Sequence, residues 1–303
     1  MKSLKINGII TPMITPLLDN DTIDVEGTRR LSDHLIDGGV SAIFLLGTTG
    51  EAQSISAALR AEFVRIVLEH VADRVPVLVA VTDTSLADSV ALGHVAAKYG
   101  AAALVAAPPY YFPANQKELV RYYKALADRL PLPLFLYNMP SKVKVFLNVE
   151  TVLELSKHPN IIGIKDSSAN MSYFSRLLHY FGGTEFSVFM GPEEQMAAAV
   201  LMGANGGVNG GANLFPKLFV SLYKAAAEGN VAEVRRLQDR VMFLSETLYN
   251  LTPCSDGSFA CAIKCALHQK GICSAYAAYP FQTFEGELEE KVKAGLELLK
   301  DYE

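Results

Sequence analysis

The chain has 303 residues, 50% of them hydrophobic and 19% charged, with a formal net charge of −5 at pH 7. It is too apolar for a disordered chain and too long for a disulfide-stapled miniature domain, so it must bury a large core. The negative balance argues against a phosphate-neutralising surface and favours a small-molecule enzyme with no nucleic-acid partner.

The opening stretch, MKSLKINGIITPM, breaks at Gly8 and Pro12 and lacks the continuous apolar run of a signal peptide or membrane anchor, so neither is expected. A cytoplasmic protein with no membrane partner is the expectation. Short aliphatic runs then recur along the chain: Gly8–Thr11, Ala42–Leu46, Val77–Val81, Ala102–Ala106, Leu134–Tyr137, Ile161–Lys165, Ser187–Met190 and Gly206–Val208. Each reads as a strand, and most are apolar on both sides of the alternation, as in strands covered on both faces. Between them, Val25–Ile36, Ala57–Val71, Leu86–Tyr99, Lys117–Leu130, Val149–Lys157, Ser172–Tyr180, Pro192–Leu201 and Pro216–Glu228 carry apolar residues at helical spacing.

Strands joined through single helices run parallel with right-handed crossovers. Eight such units need about 230 residues, which is where the pattern changes, at Gly229–Asn230. The expected fold is therefore α/β, a closed (β/α)8 TIM barrel over residues 1–229. The alternative is an open doubly wound sheet. That fold favours a GxGxxG turn after its first strand; none is present, and the Gly203–Gly211 cluster comes late and at another spacing. Helical patterns continue through Val231–Asn250, Ser258–Lys270 and Gly286–Leu299, so residues 230–303 read as a C-terminal helical appendage. The four cysteines, Cys254, Cys261, Cys265 and Cys273, lie in the last fifth of the chain with no paired CxxC spacing and no histidine at ligand spacing. They read as small buried thiols rather than a metal site.

In a barrel only residues at the C-terminal strand ends and the following loops share the mouth. Four unusual strings fall there: GTTGE (Gly47–Glu51), PYYF (Pro109–Phe112), YNMP (Tyr137–Pro140) and the Lys165–Asp166 end of IIGIKD. Lys165 closes an apolar run, where the default for a lysine is a snorkelling surface charge. The functional alternative is an amine kept toward its neutral form by burial, able to attack a carbonyl and form a Schiff base. Asp166 points the opposite way along the strand and is given no catalytic role. Tyr137 stands 28 residues before Lys165, one βα unit, so the two belong on neighbouring strand ends, where a phenol can relay protons. Thr48 and Thr49, flanked by glycines, offer hydroxyls and approachable N–H groups to a carboxylate.

Together IIGIKD, YNMP, GTTGE, PPYYF and GANGGVNGGAN resemble, in order over about Ile6–Ala227, the dihydrodipicolinate synthase / N-acetylneuraminate lyase family of class I pyruvate aldolases. The resemblance implies that Lys165 forms an imine with pyruvate. It makes Tyr137 the acid/base relay, coupled to Thr48 and to Tyr111 from a neighbouring subunit. Thr49 and the Thr48 backbone would hold the pyruvate carboxylate, while Gly191 and Val208 match backbone positions beside the bound keto acid. It also implies a homotetramer built from dimers. No cofactor and no metal are expected, since the protonated imine is itself the electron sink.

The second substrate is read from departures. Dihydrodipicolinate synthases typically present an arginine two residues after the YNxP proline, whereas this chain has Lys142, not an equivalent bidentate clamp. Sialic-acid lyases typically carry GSTGE and a Gly-Tyr-Asp-Glu turn; here the strings are GTTGE and Gly191-Pro192-Glu193-Glu194. Glu193 and Glu194 are either sugar-hydroxyl ligands or ordinary first-turn acids. The expectation is cleavage or synthesis of a 2-keto-3-deoxy sugar acid or related hydroxy-2-keto acid. The close alternative is dihydrodipicolinate synthesis from pyruvate and aspartate semialdehyde; a barrel that binds keto acids without turnover is the alternative of another class.

Overall fold

A computed structural model describes residues 4–249, 251–252 and 257–302. Its strands, in chain order, are β1 (Gly8–Pro12), β2 (Leu17–Asp19), β3 (Thr22–Ile23), β4 (Ala42–Leu45), β5 (Val77–Ala80), β6 (Ala103–Ala106), β7 (Leu134–Asn138), β8 (Ile161–Asp166), β9 (Ser187–Met190) and β10 (Gly206–Val208). Eight of them close into a parallel barrel in the order β1-β10-β9-β8-β7-β6-β5-β4, with Ile10 opposite Ala42 where β1 meets β4. The small antiparallel β2–β3 ribbon, absent from the sequence expectation, lies apart from the barrel sheet. At two or three residues per strand it is too short to show alternation.

The covering helices are α1 (Val25–Asp37), α2 (Ala57–Val71), α3 (Leu86–Lys98), α4 (Gln116–Ala127), α5 (Pro140–Val143), α6 (Val149–Leu155), α7 (Met171–Phe181), α8 (Glu193–Leu201) and α9 (Pro216–Ala227). Their starts follow from capping residues. Asp24, Ser56, Ser85 and Asn170 each accept a first-turn N–H, and Asn115 with Glu118 forms a reciprocal capping box. Past α9 come α10 (Val231–Leu244), α11 (Ser258–Gln269) and α12 (Glu287–Leu298). The expected continuous helix through Asn250 instead changes to a π-helical turn at Ser245–Tyr249; Asn250 itself lies outside the described residues.

The barrel interior is a packed core. Phe135 and Phe189 meet edge to face at 6.0 Å between centroids, and Phe44 meets Tyr137 at 6.5 Å. Gly163 on β8 makes room for this: a Cβ there would sit 2.5 Å from Phe135 Cε1 and 2.6 Å from the Ser187 carbonyl oxygen. Cys261, Cys265 and Cys273 are free, buried thiols, and burial raises all three above the usual range; Cys254 lies outside the described residues. Among the described residues no helix is long and apolar enough to cross a membrane. None of their His, Cys, Asp and Glu side chains form a group of three or more able to hold a metal ion.

Candidate active site

The barrel register puts Tyr137 on β7 directly beside Lys165 on β8, with Asn138 beside Asp166 one residue further on. Lys165 is 7% exposed. Its Nζ lies 4.1 Å from the Tyr137 ring centroid and 5.2 Å from that of Phe44, so the amine sits at the barrel mouth between two aromatic rings rather than in bulk water. The Tyr137 hydroxyl shares a hydrogen bond of 3.3 Å with Thr48 Oγ1. Burial disfavours a Tyr137 phenolate. The Lys165 charge, with hydrogen bonds from Thr48, Ser167 and Lys165, outweighs that penalty and brings the phenol below its ordinary value.

Asp166 alternates to the other side, as expected. It is buried, accepts hydrogen bonds from Asn138 Nδ2 at 2.8 Å and from the backbone and hydroxyl of Ser168, and is pushed by burial up to about 6. Asn138 Oδ1 in turn receives the Leu147 N–H. This outer network fixes the ends of β7 and β8 and the start of the loop carrying Ser167. Ser167 escaped the sequence reading, although the period of two along a strand places it on the same side as Lys165.

Thr48 and Thr49 sit in a 3₁₀ turn, Thr48–Gly50, between two non-glycine residues in the left-handed region: Leu46 (φ 59°) and Glu51 (φ 52°). Each costs about 1–2 kcal/mol relative to ordinary backbone, so such a turn persists only where its surroundings over-determine it. Thr15 Oγ1 donates to the Gly50 carbonyl at 2.7 Å. The Glu51 carboxylate accepts the Ala278 N–H at 2.9 Å and is ion-paired with Lys264 of α11, both side chains being essentially inaccessible. Removing one partner of such a pair typically costs about 3–5 kcal/mol, because the other charge stays buried alone.

A cavity of about 320 Å³ is lined by Thr48, Thr49, Tyr137, Lys165, Ser167 and Glu193, with Gly191 and Val208 also on its wall. All expected site residues except Tyr111 therefore meet in one space. Lys142 lines this cavity and an adjoining one of similar size that contains Tyr110 and Phe281. Tyr111 is 84% exposed, with φ 79°, its ring edge-on to Phe112 at 4.9 Å; within one chain it does not reach Tyr137. Glu193 is no ordinary first-turn acid. It is buried, receives the Tyr249 hydroxyl at 2.5 Å and the Gly211 N–H at 2.9 Å, and is raised by burial to about 7. No local pattern in the sequence announces Tyr249, which arrives from the π-helical turn. Glu194 accepts from Ser245 Oγ at 2.8 Å.

A closed parallel barrel with a sheltered lysine at its mouth, a phenol beside it and a hydroxyl-rich turn in hydrogen-bond contact defines the class of pyruvate-dependent, Schiff-base-forming lyases and synthases. Residues 5–299 match the dihydrodipicolinate synthetase family, and the chain belongs to it. A 4-hydroxy-tetrahydrodipicolinate synthase of Neisseria meningitidis serogroup C is 31% identical over 291 residues, covering 96% of this chain and 98% of that protein. Among solved structures, the dihydrodipicolinate synthase of Bacteroides thetaiotaomicron is 49% identical, with a TM-score of 0.94 over 98% of this chain and 100% of its own. YagE, a prophage protein of the same family from E. coli K12 solved with pyruvate, is 30% identical, with a TM-score of 0.91 over 97% of this chain and 98% of its own.

Proposed function

We propose that the chain joins pyruvate to an aldehyde through a Schiff base on Lys165. The observation that carries this reading is the sheltered Lys165 amine, adjacent in register to Tyr137, whose hydroxyl bonds Thr48. The free amine of Lys165 attacks C2 of pyruvate, and Tyr137 delivers the proton with which the C2 oxygen leaves as water. Loss of a methyl proton from the imine gives an enamine. Its C3 adds to the aldehyde carbon, the aldehyde oxygen takes up a proton, and attack at C2 of the product imine by water, or by the acceptor's own amino group, displaces the Lys165 amine. Thr49 and the Thr48 N–H hold the carboxylate; Gly191 and Val208 border the keto acid. Residues 1–229 are the catalytic barrel and 230–303 the helical extension.

Aspartate semialdehyde is the acceptor that the named synthase relatives favour, and it replaces the sugar acid as the leading reading. Lys142 takes the place of the arginine clamp for its carboxylate, as a point charge. Cleavage or synthesis of a 2-keto-3-deoxy sugar acid is the second reading, favoured by the presence of Glu193, Glu194 and Ser167 in the cavity lining. Tyr111 completes the relay from a second protomer, in a homotetramer built from dimers.

Borohydride reduction in the presence of pyruvate should leave an adduct on Lys165, read by mass spectrometry of the peptide containing residues 161–166. Condensation with aspartate semialdehyde, run beside pyruvate release from a panel of keto-deoxy acids, separates the acceptors. An unmodified Lys165 in protein that still consumes pyruvate would remove the imine reading.

A further inference from the structure

The C-terminal helical segment reaches the site through Tyr249 and through α11. Ala260 near the start of α11 lines both mouth cavities, and Lys264 stands four residues on, on the same helix face. The Lys264 side chain is 0% exposed; its Nζ is ion-paired with Glu51 and donates to the Tyr276 carbonyl at 2.9 Å. The other Glu51 oxygen receives the Ala278 N–H. One carboxylate is thus gripped twice by the C-terminal segment, from the helix and from the irregular stretch after it. Glu51 is also the residue that ends the threonine turn: its N–H closes onto the Thr48 carbonyl at 3.1 Å, and its backbone is left-handed. A buried ion pair contributes little net stability once desolvation is counted, but it fixes its two ends to within hydrogen-bond distances.

We infer that Lys264 is a positioning residue for the reaction: by holding Glu51 it keeps the Leu46–Glu51 turn in the conformation that sets the Thr48 hydroxyl on Tyr137. The inference rests on the imine reading above, and it gives the helical extension a part in the chemistry. Neither Lys264 nor Glu51 lines the cavity that holds Lys165; Glu51 borders only the adjoining one. Their effect falls on proton transfer through Tyr137 and Thr48, which slows formation of both imine and enamine but keeps the Lys165 nucleophile, so trapping at long incubation persists.

The test needs pyruvate alone. Enamine formation exchanges the methyl protons of pyruvate for deuterium in D2O, which proton NMR follows without any aldehyde. Exchange is measured for the full chain, for Thr48→Val, for Glu51→Gln/Lys264→Met, which removes both charges at once, and for all three changes together. Borohydride trapping on Lys165 is run on each. The expected result is trapping in every variant, an exchange rate about 10²-fold lower in Glu51→Gln/Lys264→Met, the scale of a site displaced by about an ångström, and a triple variant little slower than Thr48→Val alone. Coupled residues give such non-additive losses. Exchange at the native rate, or a triple variant whose loss is the product of the two separate losses, overturns the inference. Wild-type protein that traps no pyruvate overturns the imine reading instead. Should the double change prevent folding, Glu51→Asp alone enters the same cycle. It keeps a charge opposite Lys264 but shortens the arm that holds the turn, and the same two outcomes decide.

Discussion

Lys165→Ala removes the nucleophile while leaving the rest of the cavity wall in place, so both borohydride trapping and turnover should be abolished while thermal unfolding changes little. Tyr137→Phe keeps the ring that packs against Phe44 and loses the hydroxyl shared with Thr48. It should still trap pyruvate but turn over roughly 10²–10⁴-fold more slowly, the usual worth of positioned acid–base help; a normal rate would take the relay away from Tyr137. Lys165, Tyr137, Thr48 and Thr49 were all legible because strand ends in a barrel share one mouth, so sequence spacing converts directly into proximity. The Glu193–Tyr249 contact was not legible. It joins residues 56 apart through a π-helical turn that no periodicity foretells, and only the fold decides which acid of the pair is buried.

The same contrast holds for whole elements. The eight barrel strands were readable because strands covered on both faces are almost wholly apolar, and they occur close to the expected bounds. The β2–β3 ribbon and the single turn of α5 escaped because they span barely more than one period of the signal, which shows only when it repeats. Within β8, Gly163 is a position where the strand yields to its neighbour. Gly163→Ala would drive a methyl into the Phe135 ring and the Ser187 carbonyl, and overpacking of this kind costs about 1–3 kcal/mol. Urea unfolding should show the midpoint falling with an unchanged slope. An unaltered midpoint would mean that β8 moves freely relative to β7 and β9, contrary to the tight register in which Lys165 and Tyr137 meet.

Across the whole molecule, buried carboxyls make stability depend on pH. Burial raises Glu193 from 4.5 to about 7 and Asp166 from 3.8 to about 6. Between roughly pH 4 and 7 the folded chain therefore holds more protons on these groups than the unfolded chain does. Their stabilising contribution is complete below the unfolded values and is lost as pH rises through 6 and 7. Carrying Glu193 from 4.5 to about 7 corresponds to on the order of 3 kcal/mol. The Glu193→Gln variant keeps an acceptor for Tyr249 and should flatten the stability curve over that window by a comparable amount; curves that stay parallel would show that Glu193 ionises alike in both states. Assembly is tested by complementation. Tyr111 is exposed while the relay it should join is buried, so the proposed reading has its phenol serve the site of another protomer. Protomers carrying Lys165→Ala have no nucleophile but an intact Tyr111, and protomers carrying Tyr111→Phe have the reverse. In a mixed isologous dimer the site that owns Lys165 borrows Tyr111 from its partner and is whole. Random reassortment makes half the dimers mixed with one whole site in each, so about a quarter of the native activity should return. A mixture no more active than its separate components would mean that Tyr111 acts within its own chain or not at all.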